Sequence, residues 1–151
     1  RGELIAGQLY GLWLLGAVQI AFLLLIGKLV FHLNLGANTP GVVLVLLVYA
    51  WVAAAIGILI GSLLDSHDRI VGVCVLASIL MAALGGCWFP MELVPDVLRT
   101  AGHCVPTAWA LDALHRLISF GGSLGDVLRP LSVLAAFGAA ATAAASRWFR
   151  V

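Results

Sequence analysis

A run of 23 residues without a charged side chain, from Val42 to Leu64, constrains this chain more than any other feature. A helix needs about 20 mostly apolar residues to cross the hydrocarbon core of a bilayer. Uninterrupted apolar stretches of that length are typical of transmembrane segments and not of soluble domains. We therefore predict that this segment is a helix that spans a membrane.

The composition of the whole chain supports the same class. Of its 151 residues, 63% are hydrophobic and 10% are charged, whereas soluble domains average about 45–50% and about 25%. A soluble fold of this size would leave too much apolar surface in water. The net charge of +1 provides no basic surface for nucleic acid. These values exclude an ordinary cytosolic enzyme, a disordered tail and a nucleic-acid binder, and they indicate an integral membrane protein in a lipid bilayer.

Three further segments are long and apolar enough to cross the bilayer, so the predicted fold is an all-α membrane protein with about four transmembrane helices. A Gly/Asn/Pro turn cluster over 35–41 separates the first two spans, and four ionisable residues within 65–69 form an aqueous loop after the second. The predicted spans cover residues 9–31, 42–64, 70–89 and 127–146, within a single transmembrane domain over 1–151.

The segment over 90–125 is too polar to span the membrane and too apolar for an ordinary loop. We predict a short external hairpin of two amphipathic helices, either re-entrant or interfacial, before the last span. In its first helix, polar residues recur at spacings of four, three and four, which places them on one face. This candidate exit-lining stripe consists of Glu92, Asp96, Arg99 and His103.

The second helix of the hairpin is predicted to begin at Pro106, where the missing N–H of proline costs nothing. Its apolar stripe is predicted to be Leu111, Leu114 and Ile118. Asp112 and Arg116 are four residues apart and are expected to pair.

Small residues recur every fourth position on one face of the second span. Such faces let helices approach closely in lipid. Packing within this chain and contact with another subunit both remain open for this candidate helix-packing face, which consists of Ala53, Gly57 and Gly61.

The sequence shows no arrangement of residues that is typical of a catalytic site. Asp65, His67 and Asp68 have the residue types of an acid–base site, but they are nearly consecutive in a loop without a nucleophile. No phosphate-binding Gly-x-x-x-x-Gly-Lys-Ser/Thr loop occurs, and the second and third spans carry no ionisable residue at mid-depth. We predict no catalytic, cofactor or metal site, so the energy for any transport comes from elsewhere.

Two motifs flank the predicted hairpin. The stretch over 85–95 reads Gly-Gly-Cys-Trp-Phe-Pro-Met-Glu-Leu-Val-Pro, and the stretch over 105–114 reads Val-Pro-Thr-Ala-Trp-Ala-Leu-Asp-Ala-Leu. Together they resemble the permease subunits of ABC-2 type transporters, in which a span ends in a Gly-Gly and Phe-Pro pattern before a short external helix. The matching residues, which form the candidate external gate, are Gly85, Gly86, Phe89, Pro90, Pro95, Pro106 and Trp109.

The resemblance implies that this chain is the C-terminal four-span portion of a six-span permease. Its opening over 1–8 is similar to the end of the family's cytoplasmic segment, although Gln8 stands where the family usually has Lys. The chain also begins with Arg1 and not Met, and we expect it to be a fragment of a longer protein.

Counting positive charges on the two sides of the membrane gives four against four, so this count does not orient the chain. The resemblance implies cytoplasmic termini, an external hairpin and a location in the plasma (inner) membrane. It also implies that a partner ABC subunit binds ATP and Mg and that a second permease subunit, identical or not, completes an export pathway.

Two alternatives stay open at the sequence level. The motif residues either only end and anchor a helix or also gate the exit of a pathway, and the polar stripe faces external water or lines that exit. At the level of the protein, the alternatives to an exporter are a membrane scaffold that uses its small-residue face and a membrane enzyme that uses the 65–69 loop.

Overall fold

The computed structural model describes residues 2–33, 35–36, 38–88, 100 and 102–148. Complete bounds are given by the described residues for five α-helices and one 3₁₀ turn. The helices are α1 (Gly2–Val30), α2 (Thr39–Leu63), α3 (His67–Leu84), α4 (Pro106–Ile118) and α5 (Leu128–Trp148), and the 3₁₀ turn is Leu124–Val127.

Local capping explains where α2 and α4 begin. The Asn38 side chain accepts a hydrogen bond from the Gly41 N–H at 3.3 Å, and Pro40 occupies the first turn of α2. Pro106 is the first residue of α4, as predicted. Both helices therefore have a proline in the first turn, where its missing N–H would have no intrahelical partner.

The end of α3 is set by its two glycines. The Gly85 N–H still donates to the Met81 carbonyl oxygen at 2.8 Å, but Gly86 adopts a left-handed conformation with φ of +83°. Residues other than glycine rarely adopt that conformation. The helix therefore ends at Leu84, five residues before the predicted end of the third span at residue 89.

The turn between α4 and α5 is held by Ser123 and Asp126. The Asp126 carboxylate accepts hydrogen bonds from the Ser123 N–H at 2.8 Å and the Ser123 hydroxyl at 3.0 Å. The Ser123 side chain in turn accepts a hydrogen bond from the Asp126 backbone N–H, and this reciprocal arrangement is a capping box. Gly121 adopts a positive φ of 60° and Gly122 donates to the Arg116 carbonyl oxygen, so the chain reverses between the two helices.

Helix α2 is the centre of the bundle, and α5 is its main partner. The two helices approach closely at Gly138, where a Cβ atom would lie 2.9 Å from the Trp51 ring. Near the chain termini, Ile5, Ile58 and Ala145 form a buried cluster that joins α1, α2 and α5. Helix α1 otherwise follows α2, with the Trp13 indole N–H donating to the Leu47 carbonyl oxygen at 3.0 Å.

The prediction of an all-α membrane protein is confirmed. In the described part of the chain, four helical segments are long and apolar enough to cross a membrane: Glu3–Val30, Thr39–Leu63, His67–Leu84 and Leu124–Trp148. The first helix begins seven residues before the predicted span at residue 9, and α2 and α3 each begin three residues early. These extra turns contain polar residues, which a search for apolar stretches leaves out.

The small-residue face of α2 is only partly covered by the other described residues, and Ala53 and Gly57 lie beside a groove between α1 and α2. Ala53 is exposed, and a Cβ atom added at Gly57 or Gly61 would meet nothing within 4 Å. The close contacts that the structure does show involve Gly16 of α1 and Gly138 of α5. Contact of this face with another subunit stays a prediction.

Candidate functional site

Helix α4 is a half-length helix inserted beside α2 and α5. At its start, Ala110 clusters with Val52 of α2 and Leu134 of α5. Toward its end, Leu117 clusters with Val42 and Val45, in the first turns of α2. Val52 lies 13 residues into α2, about 20 Å from its start. Helix α4 therefore begins level with the middle of α2 and runs toward the Thr39 end, which is the geometry of a re-entrant helix.

The buried face of α4 differs from the predicted one. Ala113 and Leu117 are 1% and 0% exposed, whereas Ile118 is 39% exposed. Leu111 and Leu114 are only half-buried. The prediction of a Leu111–Leu114–Ile118 stripe was wrong because α4 lies against two neighbours through its smaller residues, which let the helices approach closely.

The start of α4 touches the end of α3 at a contact that only glycine permits. A Cβ atom at Gly85 would clash with the Thr107 hydroxyl, lie 2.5 Å from the Thr107 Cβ and lie 2.7 Å from the Met81 carbonyl oxygen. The Thr107 hydroxyl donates a hydrogen bond to that carbonyl oxygen at 2.6 Å. We call Met81, Gly85 and Thr107 the α3–α4 junction.

Two of the three junction residues, Gly85 and Thr107, are buried, and Met81 is half-buried. Thr107 is 6% exposed and is the one polar residue in the buried core of the described chain. Its hydroxyl is satisfied by the carbonyl oxygen at the end of α3, which also accepts the Gly85 N–H. A buried hydroxyl with a single fixed partner holds the two helix ends in one relative position.

Among the seven residues of the candidate gate, the structure describes four. Gly85 makes the close contact, Gly86 makes the left-handed turn and Pro106 starts α4. Phe89, Pro90 and Pro95 lie outside the described residues.

Trp109 is the fourth of these residues, and it joins α4 to the segment before it. Its indole N–H donates to the His103 carbonyl oxygen at 2.8 Å. The two rings meet edge to face with their centroids 5.1 Å apart. The His103 Nε2 lies 3.0 Å from an Asp112 carboxylate oxygen. Trp109 and Asp112 therefore both fix His103 above the start of α4.

The polar groups near α4 are paired differently from the prediction. Asp112 contacts His103, and the Arg116 guanidinium instead donates to the Asp126 carbonyl oxygen at 3.3 Å. The predicted Asp112–Arg116 pair was therefore wrong, because partners brought close by the fold compete with the neighbour four residues away. The other members of the polar stripe, Glu92, Asp96 and Arg99, lie outside the described residues.

The loop between α2 and α3 remains separate from the junction. Asp65, His67, Asp68 and Arg69 are all exposed, and His67 to Arg69 form the first turn of α3. Asp68 there suits the positive end of the helix dipole. The role of Asp68 is therefore structural, because its negative charge stabilises the start of α3.

Sequence reasoning missed Thr107 and Met81. A threonine directly after a helix-starting proline was the available signal for Thr107, because hydroxyl residues near helix ends often bond backbone groups. Met81 takes part through its backbone, so its side chain carried no signal. Gln19, in the middle of α1, was also overlooked as the polar residue of an otherwise apolar stretch.

Comparison with curated proteins finds a relative that is named as a permease. The chain is 25% identical over 150 residues to the linearmycin resistance permease protein LnrN of Bacillus subtilis (strain 168). That alignment covers 99% of this chain and 39% of the relative, so the chain spans about two fifths of the curated protein that it matches. No solved structure matches the chain.

A protein-family comparison covers nearly all of the chain. Residues 2–147 match the model of the ABC-2 family transporter protein. The matched range includes all five helices except Trp148, the last residue of α5. It also includes the α3–α4 junction. The chain therefore belongs to the ABC-2 family of membrane transporter proteins.

Proposed function

We propose that this chain forms part of the permease of an ATP-driven exporter and that its α3–α4 junction works as an outer gate. The contact between Gly85 and Thr107 carries the proposal. Because the backbone at the end of α3 lies directly against the Thr107 side chain in the first turn of α4, α4 must follow when the end of α3 tilts. A half-length helix that moves with a spanning helix is suited to open and close a pathway.

The position of α4 supports this role. Its inner end is level with the middle of α2, so its movement changes the packing of the membrane's outer half. The bonds from Trp109 and Asp112 to His103 tie the helix to the hairpin segment that precedes it. In the proposed mechanism, closure of a partner ATPase dimer tilts α3, and α4 then swings away from the exit.

Membership of the ABC-2 family supports an ATP-binding partner subunit, and the name of the relative supports export as the direction of transport. ATP and Mg would bind to a separate or fused ABC subunit, with hydrolysis there and not in this chain. None of the described residues of α3 is buried, which leaves its surface for lipid or a second permease subunit. A relative named for resistance to linearmycin favours export, because removing a toxic compound from the cell confers resistance.

The first test is affinity purification of the tagged full-length protein from its native membranes. We expect an ATP-binding subunit in near-equal amount, or an ATPase domain in the same polypeptide, and ATP hydrolysis that its inactivation abolishes. Recovery of copies of the permease alone would overturn the exporter proposal in favour of the membrane scaffold.

The second test separates gating from folding. Thr107→Val removes the hydroxyl that bonds α3 but keeps the side-chain shape. We expect less transport per folded complex while ATP hydrolysis continues, because α3 and α4 no longer move together. Ser78→Ala is the matched control, since the Ser78 hydroxyl bonds only the Val75 carbonyl oxygen of its own helix. Equal transport by both variants would refute the gate.

The proposed orientation places both ends of the chain in the cytoplasm and α4 toward the outside of the plasma (inner) membrane. In intact cells, a membrane-impermeant maleimide should label Ser119→Cys, which is exposed after α4, beyond the labelling of the parent protein. Asp65→Cys, exposed between α2 and α3, should be labelled only after permeabilisation. The reverse result would invert the topology.

A further inference from the structure

A histidine and an aspartate meet at the start of α4. The His103 Nε2 atom lies 3.0 Å from an Asp112 carboxylate oxygen. The two side chains are 31% and 33% exposed, so water reaches both of them. Histidine is the side chain whose ordinary titration falls between about pH 5 and pH 8. The contact therefore joins a carboxylate to a group whose charge follows the pH.

This contact lies deep in the helical bundle. Asp112 follows Ala110 by two residues, and Ala110 packs against Val52, about 20 Å from the start of α2. Asp112 therefore lies roughly 17 Å from that end, near the middle of the 25-residue helix. An ionised carboxylate at such a depth in a membrane protein is costly unless it has a partner. His103 supplies a partner, and the charge on its ring sets the strength of the contact.

Protonation of His103 strengthens its contact with Asp112. In the neutral ring one nitrogen donates and the other accepts, whereas the imidazolium donates from both nitrogens and also attracts the carboxylate by its charge. Hydrogen bonds that involve charged groups are roughly twice as strong as those between neutral groups. The contact is therefore tightest at acidic pH, and it weakens as the pH rises through the titration of the histidine.

The pair folds the segment before α4 back onto that helix. His103 precedes α4 and Asp112 lies in its second turn, with a tight turn between them in which the Val105 N–H donates to the Gly102 carbonyl oxygen. The Trp109 indole N–H donates to the His103 carbonyl oxygen, and the two rings meet edge to face. Because these contacts orient the histidine, the segment cannot leave α4 without breaking the bond to Asp112.

The elements packed against α4 carry other ionisable groups. Those nearest to the pair along these elements are Tyr49 of α2, Cys87 after α3, Cys104 beside His103, His115 and Arg116 of α4, Asp126 of the 3₁₀ turn and Arg129 of α5. Among them, His115 is the one that shares the titration range of His103. It is exposed and lies one turn beyond Asp112, which makes it a suitable control. Glu92, Asp96 and Arg99 precede His103 in the sequence, outside the described residues.

We propose that His103 and Asp112 form a proton-sensitive latch, which closes at acidic pH and holds the preceding segment against α4. In the proposed orientation, the latch responds to the pH outside the cell. Its effect on transport rests on the proposed function of α4 in the outer gate, and there we expect acidic pH to slow export. The latch itself requires neither ATP nor a transported molecule.

Hydrogen–deuterium exchange tests the latch directly. The full-length protein in detergent is exchanged at about pH 5.5 and about pH 8, on either side of the histidine range. The rates for peptides over 102–109 are divided by the intrinsic rates of the unfolded peptides at the same pH. We expect this segment to open roughly three- to tenfold less often at the acidic pH, because a charge strengthens one hydrogen bond. Equal corrected rates at the two pH values would overturn the proposal.

Matched variants assign the response to the pair. His103→Gln and Asp112→Asn each remove one charged partner with little change in size, so we expect the corrected exchange to lose its dependence on pH. His115→Gln removes the exposed histidine on the same helix and should behave like the wild type. A pH dependence that survives in Asp112→Asn, or that disappears in His115→Gln, would refute the assignment to this pair.

A permanently charged variant separates loss of the latch from loss of folding. His103→Lys keeps a positive charge throughout this pH range. We expect the segment over 102–109 to be as well protected at about pH 8 as the wild-type segment is at about pH 5.5. A His103→Lys protein that is folded, yet opens as often at the higher pH as the wild type does, would contradict the role of the charge.

Transport measurements distinguish failure of the latch from failure of the proposed function. Export from vesicles is measured per ATP hydrolysed at both pH values, for the wild-type complex and for His103→Gln. We expect only the wild type to export more slowly at the acidic pH. If exchange depends on pH as expected but the two transport profiles coincide, the latch stands and the gate role of α4 is refuted. If neither exchange nor transport differs between the two proteins, the latch is refuted.

Discussion

Replacing Gly85 with alanine tests the central contact of this structure. The added methyl group would lie 2.5 Å from the Thr107 Cβ and 2.7 Å from the Met81 carbonyl oxygen, both well inside van der Waals contact. Overpacking of this kind costs about 1–3 kcal/mol. Displacing Thr107 also weakens its bond to α3, which costs about 1 kcal/mol. Alanine recovers about 0.5–1 kcal/mol because φ at this position is −73°, an ordinary helical value.

These contributions predict that Gly85→Ala lowers the free energy of unfolding by about 1–3.5 kcal/mol. For a chain of 151 residues, that corresponds to a fall in Tm of roughly 2–14 °C, and the fall becomes smaller as the cooperative unit becomes larger. The assay is thermal denaturation of the full-length protein in detergent, followed by size-exclusion chromatography of the soluble fraction.

Gly72→Ala is the matched control in the same helix, since a Cβ atom there meets nothing within 4 Å. It should leave the Tm unchanged or raise it slightly, because alanine is the better helix former. Equal Tm values for the two variants would refute the reasoning, since the close approach of α3 and α4 would then not be needed for stability.

Three other predictions follow from single contacts. Thr107→Val should cost about 0.5–1.5 kcal/mol in denaturation assays through its lost hydrogen bond to α3; an unchanged Tm would show that this bond contributes nothing. Gly138→Ala should cost about 1–3 kcal/mol, because its Cβ would lie 2.9 Å from the Trp51 ring; a more stable variant would contradict the tight α2–α5 packing. The double change Asp65→Asn and Asp68→Asn should leave transport per folded complex intact, because these side chains are exposed and remote from the junction. Complete loss of transport would instead support an active role for the loop.

Part of the candidate site follows from local rules. Proline at 106 predicts a helix start because its fixed backbone conformation suits the first turn of a helix, and α4 begins there. The end of the third span was predicted less well: α3 ends at Leu84, five residues before residue 89, because Gly86 turns the chain with a positive φ. The structure adds that Gly85 is needed for space and Gly86 for its left-handed turn, two different requirements that the sequence pattern does not separate.

The buried face of α4 could not be predicted from the hydropathy of its side chains. Hydropathy ranked Leu111 and Ile118 above Ala113 because they are larger and more apolar. In a bilayer, however, lipid solvates large apolar side chains as well as protein does, so size does not direct a side chain inward. Ala113 is buried because small residues let α4 approach α2 closely.

The pairing of Asp112 shows the same limit for polar groups. The spacing of four residues to Arg116 was a sound local expectation, worth only a few tenths of a kcal/mol. The fold brings His103 to within 3.0 Å of the Asp112 carboxylate, and it brings Arg116 to the Asp126 carbonyl oxygen.

The sequence by itself determined the class of this protein and its long helices. The hydrocarbon core of a bilayer contains no water that could bond the backbone N–H and C=O groups. A long apolar segment that crosses it therefore forms a helix, in which these groups bond one another. Only the tertiary structure decided that α4 packs along the first half of α2, that Thr107 bonds the end of α3 and that Gln19 lies in a groove between α1 and α2. These features depend on distances between segments far apart in the chain, and hydropathy has the same value whether a residue faces lipid or another helix.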